Sequence, residues 1–169
     1  GIYFSIFHSI SAFCNAGFDL LGDSLVDYSG DIILNFTIMG LIILGGIGFS
    51  VIWDVYYNGR NIKRWSLHTK LVILITLILI LFGFLFIFFI EYNKLLMDYP
   101  LGRKIIASLF HSVTSRTAGF NSISVGDLTD ASKFITIILM FIGASPASTG
   151  GGIKTTTAFI ILLTIKSVI

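Results

Sequence analysis

Charge is scarce in this chain: 12% of its 169 residues are charged and 55% are hydrophobic, with a mean hydropathy of +0.94. That balance excludes an ordinary water-soluble core and points to a membrane protein. Cysteine is almost missing, and a lone Cys14 excludes a disulfide within the chain and any cysteine-rich metal site. The net charge of +2 is too small to draw a nucleic-acid partner, and the basic residues gather in one loop rather than on an aromatic-studded face. No nucleophile, base and orienting acid fall together on one expected surface, so the chain is not read as an enzyme. An initiator Met and a signal peptide are also missing, and the chain stops at Ile169 inside an apolar run. Both ends are therefore expected to be cuts through a longer protein.

What is present is apolar length. Uncharged stretches cover residues 32–53, 71–90 and 134–153, the last continuing from Thr155 onward. The first two match a hydrocarbon core of about 30 Å and are expected to be transmembrane helices. Gly40, Gly45, Gly46 and Gly48 in the first are expected to allow close packing of another backbone. Between these spans Arg60, Lys63, Arg64 and Lys70 face a single acid, Asp54, which marks the loop as cytoplasmic. Before the first span lie Asp19, Asp23, Asp27 and Asp31 with no basic residue among them, so the outer mouth is acidic. On a helix their spacing would stack like charges, so an irregular loop is expected, with Asp31 as N-cap of the first span. The other three either concentrate cations at the mouth or form a solvated surface.

Two short segments are near copies. Phe7-His8-Ser9-Ile10-Ser11 leads to Ala16-Gly17-Phe18, and Phe110-His111-Ser112-Val113-Thr114 leads to Ala118-Gly119-Phe120. Phe110 follows Phe7 by 103 positions and Gly119 follows Gly17 by 102, too long a period for soluble solenoid repeats. Each copy is too short to cross a bilayer, and each is followed by a polar stretch and then a long apolar run. Irregular backbone is tolerated at membrane depth only where it is buried or lines a watery cavity. A cation filter built from carbonyl oxygens meets that condition, with Gly17 and Gly119 supplying the backbone freedom that points successive carbonyls one way. Short helices before each filter would aim their partly negative C-termini at the cavity. His8 and His111 sit at equivalent places; with no carboxylate at helical spacing they are expected to pack and hydrogen-bond behind the filter rather than hold a metal or a proton. Arg116 facing the axis would repel the permeating cation. It is expected to turn away and tie down carbonyls at the end of the pore helix.

The third span is interrupted. Gly143, Ala144, Ser145, Pro146, Ala147, Ser148, Thr149, Gly150, Gly151, Gly152, Ile153 and Lys154 place a proline and three successive glycines where a helix would have to continue. Proline removes a helical hydrogen bond and each glycine costs about 1 kcal/mol, so a loop of small residues is expected below the filter. Such a loop can occlude a pathway and move aside cheaply, and Lys154 at membrane depth is a functional residue by default. A phosphate-binding loop is the rival reading, but Ile153 stands where that motif needs glycine before Lys154.

The segment from Phe7 to Phe18, the run Thr114-Ser115-Arg116-Thr117-Ala118-Gly119-Phe120-Asn121, and the stretch from Gly143 to Thr157 together resemble the Trk/Ktr/HKT superfamily of potassium transporters, and within it the bacterial Ktr-type membrane subunit. The resemblance covers nearly the whole chain. It implies an all-α integral membrane fold, with four helix–pore loop–helix repeats in pseudo-fourfold array around one pore. Residues 1–54 would end the second repeat with its pore helix, filter and transmembrane helix. Residues 55–70 would be the cytoplasmic loop, and residues 71–169 the third repeat, with pore helix and filter at 103–120 and an intramembrane gate loop at 143–154.

Asn15, Ala16 and Gly17, flanked by Cys14 and Phe18, match the second filter segment of the family; Thr117, Ala118 and Gly119, followed by Phe120, match the third. Cys14 departs from the Asn expected there. In the plant branch a Ser replacing a filter Gly goes with sodium transport, and both filter glycines here are intact, which favours potassium. The resemblance further implies a homodimer in the cell membrane, regulation by a cytosolic nucleotide-binding ring, completion of the pore by the remaining repeats of the same polypeptide, and no cofactor beyond potassium itself as the transported ion at the filter carbonyls. A different pore-loop cation channel and a non-transporting membrane scaffold are the other readings; ion flux separates the scaffold from the first two.

Overall fold

The computed structural model describes residues 1–59 and 61–168; Arg60 of the basic loop and Ile169 lie outside the described residues. Every extended element among the described residues is helical. In chain order these are α1 (Ile2–Phe13), α2 (Ile32–Ile47), α3 (Phe49–Asn58), α4 (Leu67–Glu91), α5 (Leu101–Thr114), α6 (Asp130–Phe141) and α7 (Thr155–Val168).

Local chemistry sets several starts. Asp31 caps α2 as expected, accepting from the Leu34 amide at 3.0 Å. The Ser66 hydroxyl accepts from the Thr69 amide at the head of α4, and the Thr129 hydroxyl from the Ser132 amide at the head of α6. The aspartate-rich stretch before α2 is irregular apart from a short 3-10 turn at Val26–Tyr28.

Helix α4 has 25 residues, about 37 Å at 1.5 Å per residue, and is the one helix among those described that is long and apolar enough to cross a bilayer alone. The first apolar stretch does not form the continuous span expected of it: α2 ends at Ile47 and α3 leaves at 96°. Gly48 makes the corner at φ 94° and ψ 147°, a backbone state that side chains disfavour. A Cβ there would also lie 2.5 Å from the Pro146 carbonyl oxygen, so the corner is packed as well as turned.

Helix α4 runs against α5 and α6, and α1 against α2. Gly83 lets α4 and α5 close: a side chain there would collide with Ser112 Oγ and come within 2.7 Å of Leu139. Ser112 Oγ instead donates to the Ile80 carbonyl at 2.7 Å. The main core joins Ala12, Ile38, Met39, Ile42, Phe110 and Phe120, so the backs of the two duplicated segments share one interior with α2. In lipid such packing is held by dispersion and shape rather than by escape from water.

Polar ties fix the rims. Glu91, fully buried at the end of α4, accepts from Thr129 N at 3.0 Å and Thr129 Oγ1 at 2.6 Å, a negative charge at the N-terminus of α6. At the opposite end Asp54 accepts from Thr69 Oγ1, Ser66 N and Asn58 Nδ2, joining α3 to the head of α4. These bonds, the Thr69 hydroxyl first and the Ser66 amide next, hold the Asp54 carboxyl down at about 2.

Candidate functional site: paired pore segments and the loop beneath them

Each duplicated helix ends in the same device. Ala16 N bonds back to the Ser11 carbonyl at 2.9 Å and Ala118 N to the Thr114 carbonyl at 3.0 Å. The hydroxyls of those two residues then reach forward, Ser11 Oγ to the Phe18 carbonyl at 2.8 Å and Thr114 Oγ1 to the Phe120 carbonyl at 2.6 Å. Each segment is thereby clamped at its beginning and its end by one residue of its own pore helix.

Between the clamps the backbone alternates. Asn15 has φ 51° and Gly17 φ 70°; Thr117 has φ 76° and Gly119 φ 87°. Placing every second residue in the left-handed region turns alternate peptide planes over, so that successive carbonyls face the same side. Glycine adopts this at no cost; Asn tolerates it, and a β-branched Thr does so only under constraint. Asn15 and Thr117 were placed in these segments by the family resemblance, but their positive φ was not anticipated, and at Thr117 the residue type argues against it.

The two segments abut. A Cβ on Gly17 would lie 2.6 Å from the Ala118 carbonyl oxygen and 2.8 Å from the Gly119 Cα. Ala118 and Phe120 are buried, whereas Cys14 is exposed and Phe18 is 69% exposed. The ring of Phe120 lies 6.2 Å from that of His8 on α1. His8 Nδ1 donates to the Phe4 carbonyl at 2.8 Å. Thr136 Oγ1 spends its proton on the Ser132 carbonyl, so His111 Nε2 donates to Thr136 Oγ1 at 3.0 Å. Both histidines pack and bond behind the segments, as their positions suggested. Outside, Asp19, Asp23 and Asp27 line a cleft with Gly119 and Asn121, while Asp31 is occupied as a cap. Among the described residues no group of three or more His, Cys, Asp or Glu is placed to hold a metal ion.

The break in the third apolar stretch runs from Ile142 to Lys154, and it folds back under the two segments. Gly143 N and Ala144 N bond to the carbonyls of Ile153 and Gly151, closing the loop on itself. A Cβ on Gly143 would collide with the Gly151 carbonyl oxygen, which explains a glycine at that neck. Lys154 Nζ donates to the Gly150 carbonyl at 2.7 Å, so its charge is spent within the loop.

The loop is sewn to the corner of α2. Ser145 N bonds the Gly46 carbonyl at 3.0 Å, Thr149 N the Gly45 carbonyl at 3.2 Å, and Phe49 N the Ala147 carbonyl at 2.9 Å. The Ser145 hydroxyl lies between the Gly46 and Ile47 carbonyls, and the Ser148 hydroxyl donates to the Ser145 carbonyl. Gly45 and Gly48 therefore do serve close approach, Gly45 first to the Phe13 carbonyl at the end of α1 and next to Thr149, Gly48 to the loop, whereas Gly40 faces open space. Pro146 contributes its carbonyl to the packing at Gly48; Gly151 has open space around it, and Gly152 turns the chain at φ 74°.

Arg116 requires a correction. Its guanidinium does tie down a carbonyl, but not at the end of the pore helix: Nη2 donates at 3.1 Å to Gly143, the first residue of the loop's neck. The pore-helix end is already satisfied by Ser115 N and Arg116 N, so the long side chain is free to reach the next element.

The family model described as "TrkH: Cation transport protein" matches residues 2–169. The Ktr system potassium uptake protein B of Bacillus subtilis (strain 168) is 48% identical over 166 residues, 97% of this chain and 37% of that protein. The potassium/sodium uptake protein NtpJ of Enterococcus hirae is 42% identical over 164 residues, 96% of this chain and 36% of that protein. The chain thus spans little more than a third of the length of these relatives. Among solved structures, the potassium transporter TrkH from Vibrio parahaemolyticus superposes with a TM-score of 0.77 at 24% identity, covering 99% of this chain and 35% of that one, a likeness of fold. A helical chain with two clamped, abutting copies of one segment, matched almost end to end by that family model, belongs to the TrkH family of cation transport proteins.

Proposed function

We propose that this chain supplies two adjoining quarters of a potassium uptake pathway through the cell membrane. Potassium sheds its water at the carbonyls of Cys14 to Phe18 and of Thr117 to Phe120, then passes the loop from Gly143 to Lys154, which opens and closes the route. The observation that carries this reading is the matched left-handed backbone at Asn15 and Gly17 and at Thr117 and Gly119. Two segments with that alternation, abutting at their glycines and backed by helix C-termini, suit a desolvated cation and repel an anion. The rest of the polypeptide would close the ring around the ion. A homodimer and a cytosolic nucleotide-binding ring as regulator complete the assembly, and no cofactor is needed for passage.

The test uses the full-length protein in bacteria stripped of their own potassium uptake. Growth at low potassium and rubidium influx are expected from the parent protein, and both are expected to fail in Gly119→Asp. Absence of rubidium flux from the parent would sink the transport reading and leave a membrane scaffold. Sodium as a second transported ion has one specific support, the relative described as a potassium/sodium uptake protein. Competition of sodium against rubidium influx decides it.

A further inference from the structure

The residues whose backbone shapes the filter are the ones whose side chains reach the loop below. Asn15 Nδ2 donates to Thr149 Oγ1 at 2.9 Å, bridging residues 134 positions apart. Thr149 Oγ1 passes its own proton to the Phe13 carbonyl at 3.0 Å, so the hydroxyl is satisfied on both sides. Thr117 Oγ1, buried and without a partner, lies 2.8 Å from where a Cβ on Gly150 would sit. Arg116, next to Thr117, holds the loop's neck through Gly143. Asn15, Thr149 and Phe13 thus fasten the loop's tip to the first segment, and Arg116 fastens its root to the second.

Between these two fastenings lies a small cavity lined by Asn15, Gly46, Thr76, Arg116 and Ala144. Arg116 Nε and Thr76 Oγ1, on residues more than nine-tenths buried, have no partner there. Besides the main-chain bonds that seat its middle on the corner of α2, the loop is thus tied to both segments by a few discrete side-chain hydrogen bonds. That is the construction of an element with two states, since a few bonds can be broken together without dismantling a core.

We propose that Asn15 and Arg116 latch the loop shut, so that its release and the conformation of the filter are one coupled equilibrium. This rests on the gating role assigned to the loop above. The coupling has a physical route: Asn15 is kept in the left-handed region while its amide is engaged by Thr149, and undocking the loop removes that hold. Coupling of this kind is reciprocal, so an ion that favours the ordered filter also favours the docked loop.

The experiment measures rubidium influx by the full-length protein, at matched expression, in cells lacking its cytosolic partner. Thr149→Val removes the hydroxyl at nearly constant volume; Asn15→Gly removes the amide while keeping the backbone free to adopt a positive φ. Asn15→Gly is expected to raise the maximal rate about fivefold, the equivalent of one hydrogen bond lost from the docked state, and Thr149→Val, which also removes the bond to the Phe13 carbonyl, at least as much. The double variant is expected to match Thr149→Val, because that change already removes the bond that Asn15→Gly breaks. Thr149→Ser, which keeps the hydroxyl, is expected to behave as the parent. Rates unchanged or lowered in both single variants, or a double variant equal to the product of the two, would overturn the latch. If one variant fails to reach the membrane, the other carries the same expectation alone. Deleting residues 144–152 separates the two levels: a raised rate on deletion with silent single variants rejects the latch and keeps the gate, whereas a deletion that leaves flux unchanged rejects the gate itself.

Discussion

Gly17 and Gly119 touch across the two segments, and each sits at a positive φ. A side chain on Gly119 would have to hold a left-handed conformation and push against the Gly17 Cα at 3.1 Å. The left-handed state alone costs a non-glycine residue about 1–2 kcal/mol, enough for roughly a tenfold change in an equilibrium. Gly119→Ser in the full-length protein is therefore expected to weaken discrimination of potassium over sodium by about that factor, read from sodium inhibition of rubidium influx; undiminished discrimination would show that the contact is not part of selection. Gly17 and Gly119 stood out in the sequence because glycine in a duplicated tripeptide is a visible mark. Asn15 and Thr117 were marked only by the family resemblance, and their left-handed backbone was not legible, since it is imposed by the clamps and neighbours that only folding assembles.

At the scale of elements, the packing of α4 on α5 depends on the missing side chain at Gly83. Gly83→Val would drive a branched side chain into Ser112 Oγ and Leu139. Overpacking of this sort costs about 1–3 kcal/mol, so detergent-solubilised Gly83→Val protein is expected to melt several degrees below the parent; an unchanged melting temperature would mean that the two helices separate freely. The staple at Asp54 has a pH signature. Its carboxyl is lowered in the folded protein from 3.8 to about 2, so its stabilisation is fully present above 3.8 and disappears as the pH falls toward 2. Protection of the Ser66 amide from exchange, measured against its intrinsic rate at each pH, is expected to fall across that window in the parent and to be low already at pH 5 in Asp54→Asn; protection that is independent of pH in the parent would remove the staple.

Much of this layer was legible beforehand. The apolar run at 71–90 became α4, the duplicated segments became α1 and α5, and Pro146 with the glycines after it marked the break between α6 and α7. The corner at Gly48 was not legible, because glycines near the end of an apolar run read equally as packing sites. Its cause lies about a hundred residues later, where Pro146 and Ala147 press against it and Ser145 bonds the Gly46 carbonyl. Likewise the target of Arg116 could not be found from its neighbours, since Gly143 is 27 positions away.

For the whole molecule, two abutting segments cover only part of the surroundings an ion needs. The chain spans 37% of its Bacillus relative. Reconstituted by itself in liposomes, the 169-residue stretch is expected to give no potassium-selective flux, while the full-length protein does; selective flux from the stretch alone would mean that copies of it assemble a ring. The two phenylalanines at the same position of the duplicated segments differ in their surroundings. Phe120 is sheltered beside His8 of the segment before it, whereas Phe18 stands 69% exposed with no such host. The same phenylalanine thus serves two ends: at Phe120 it rivets the second segment to the helix of the first, and at Phe18 it leaves the first segment without such a rivet among the described residues.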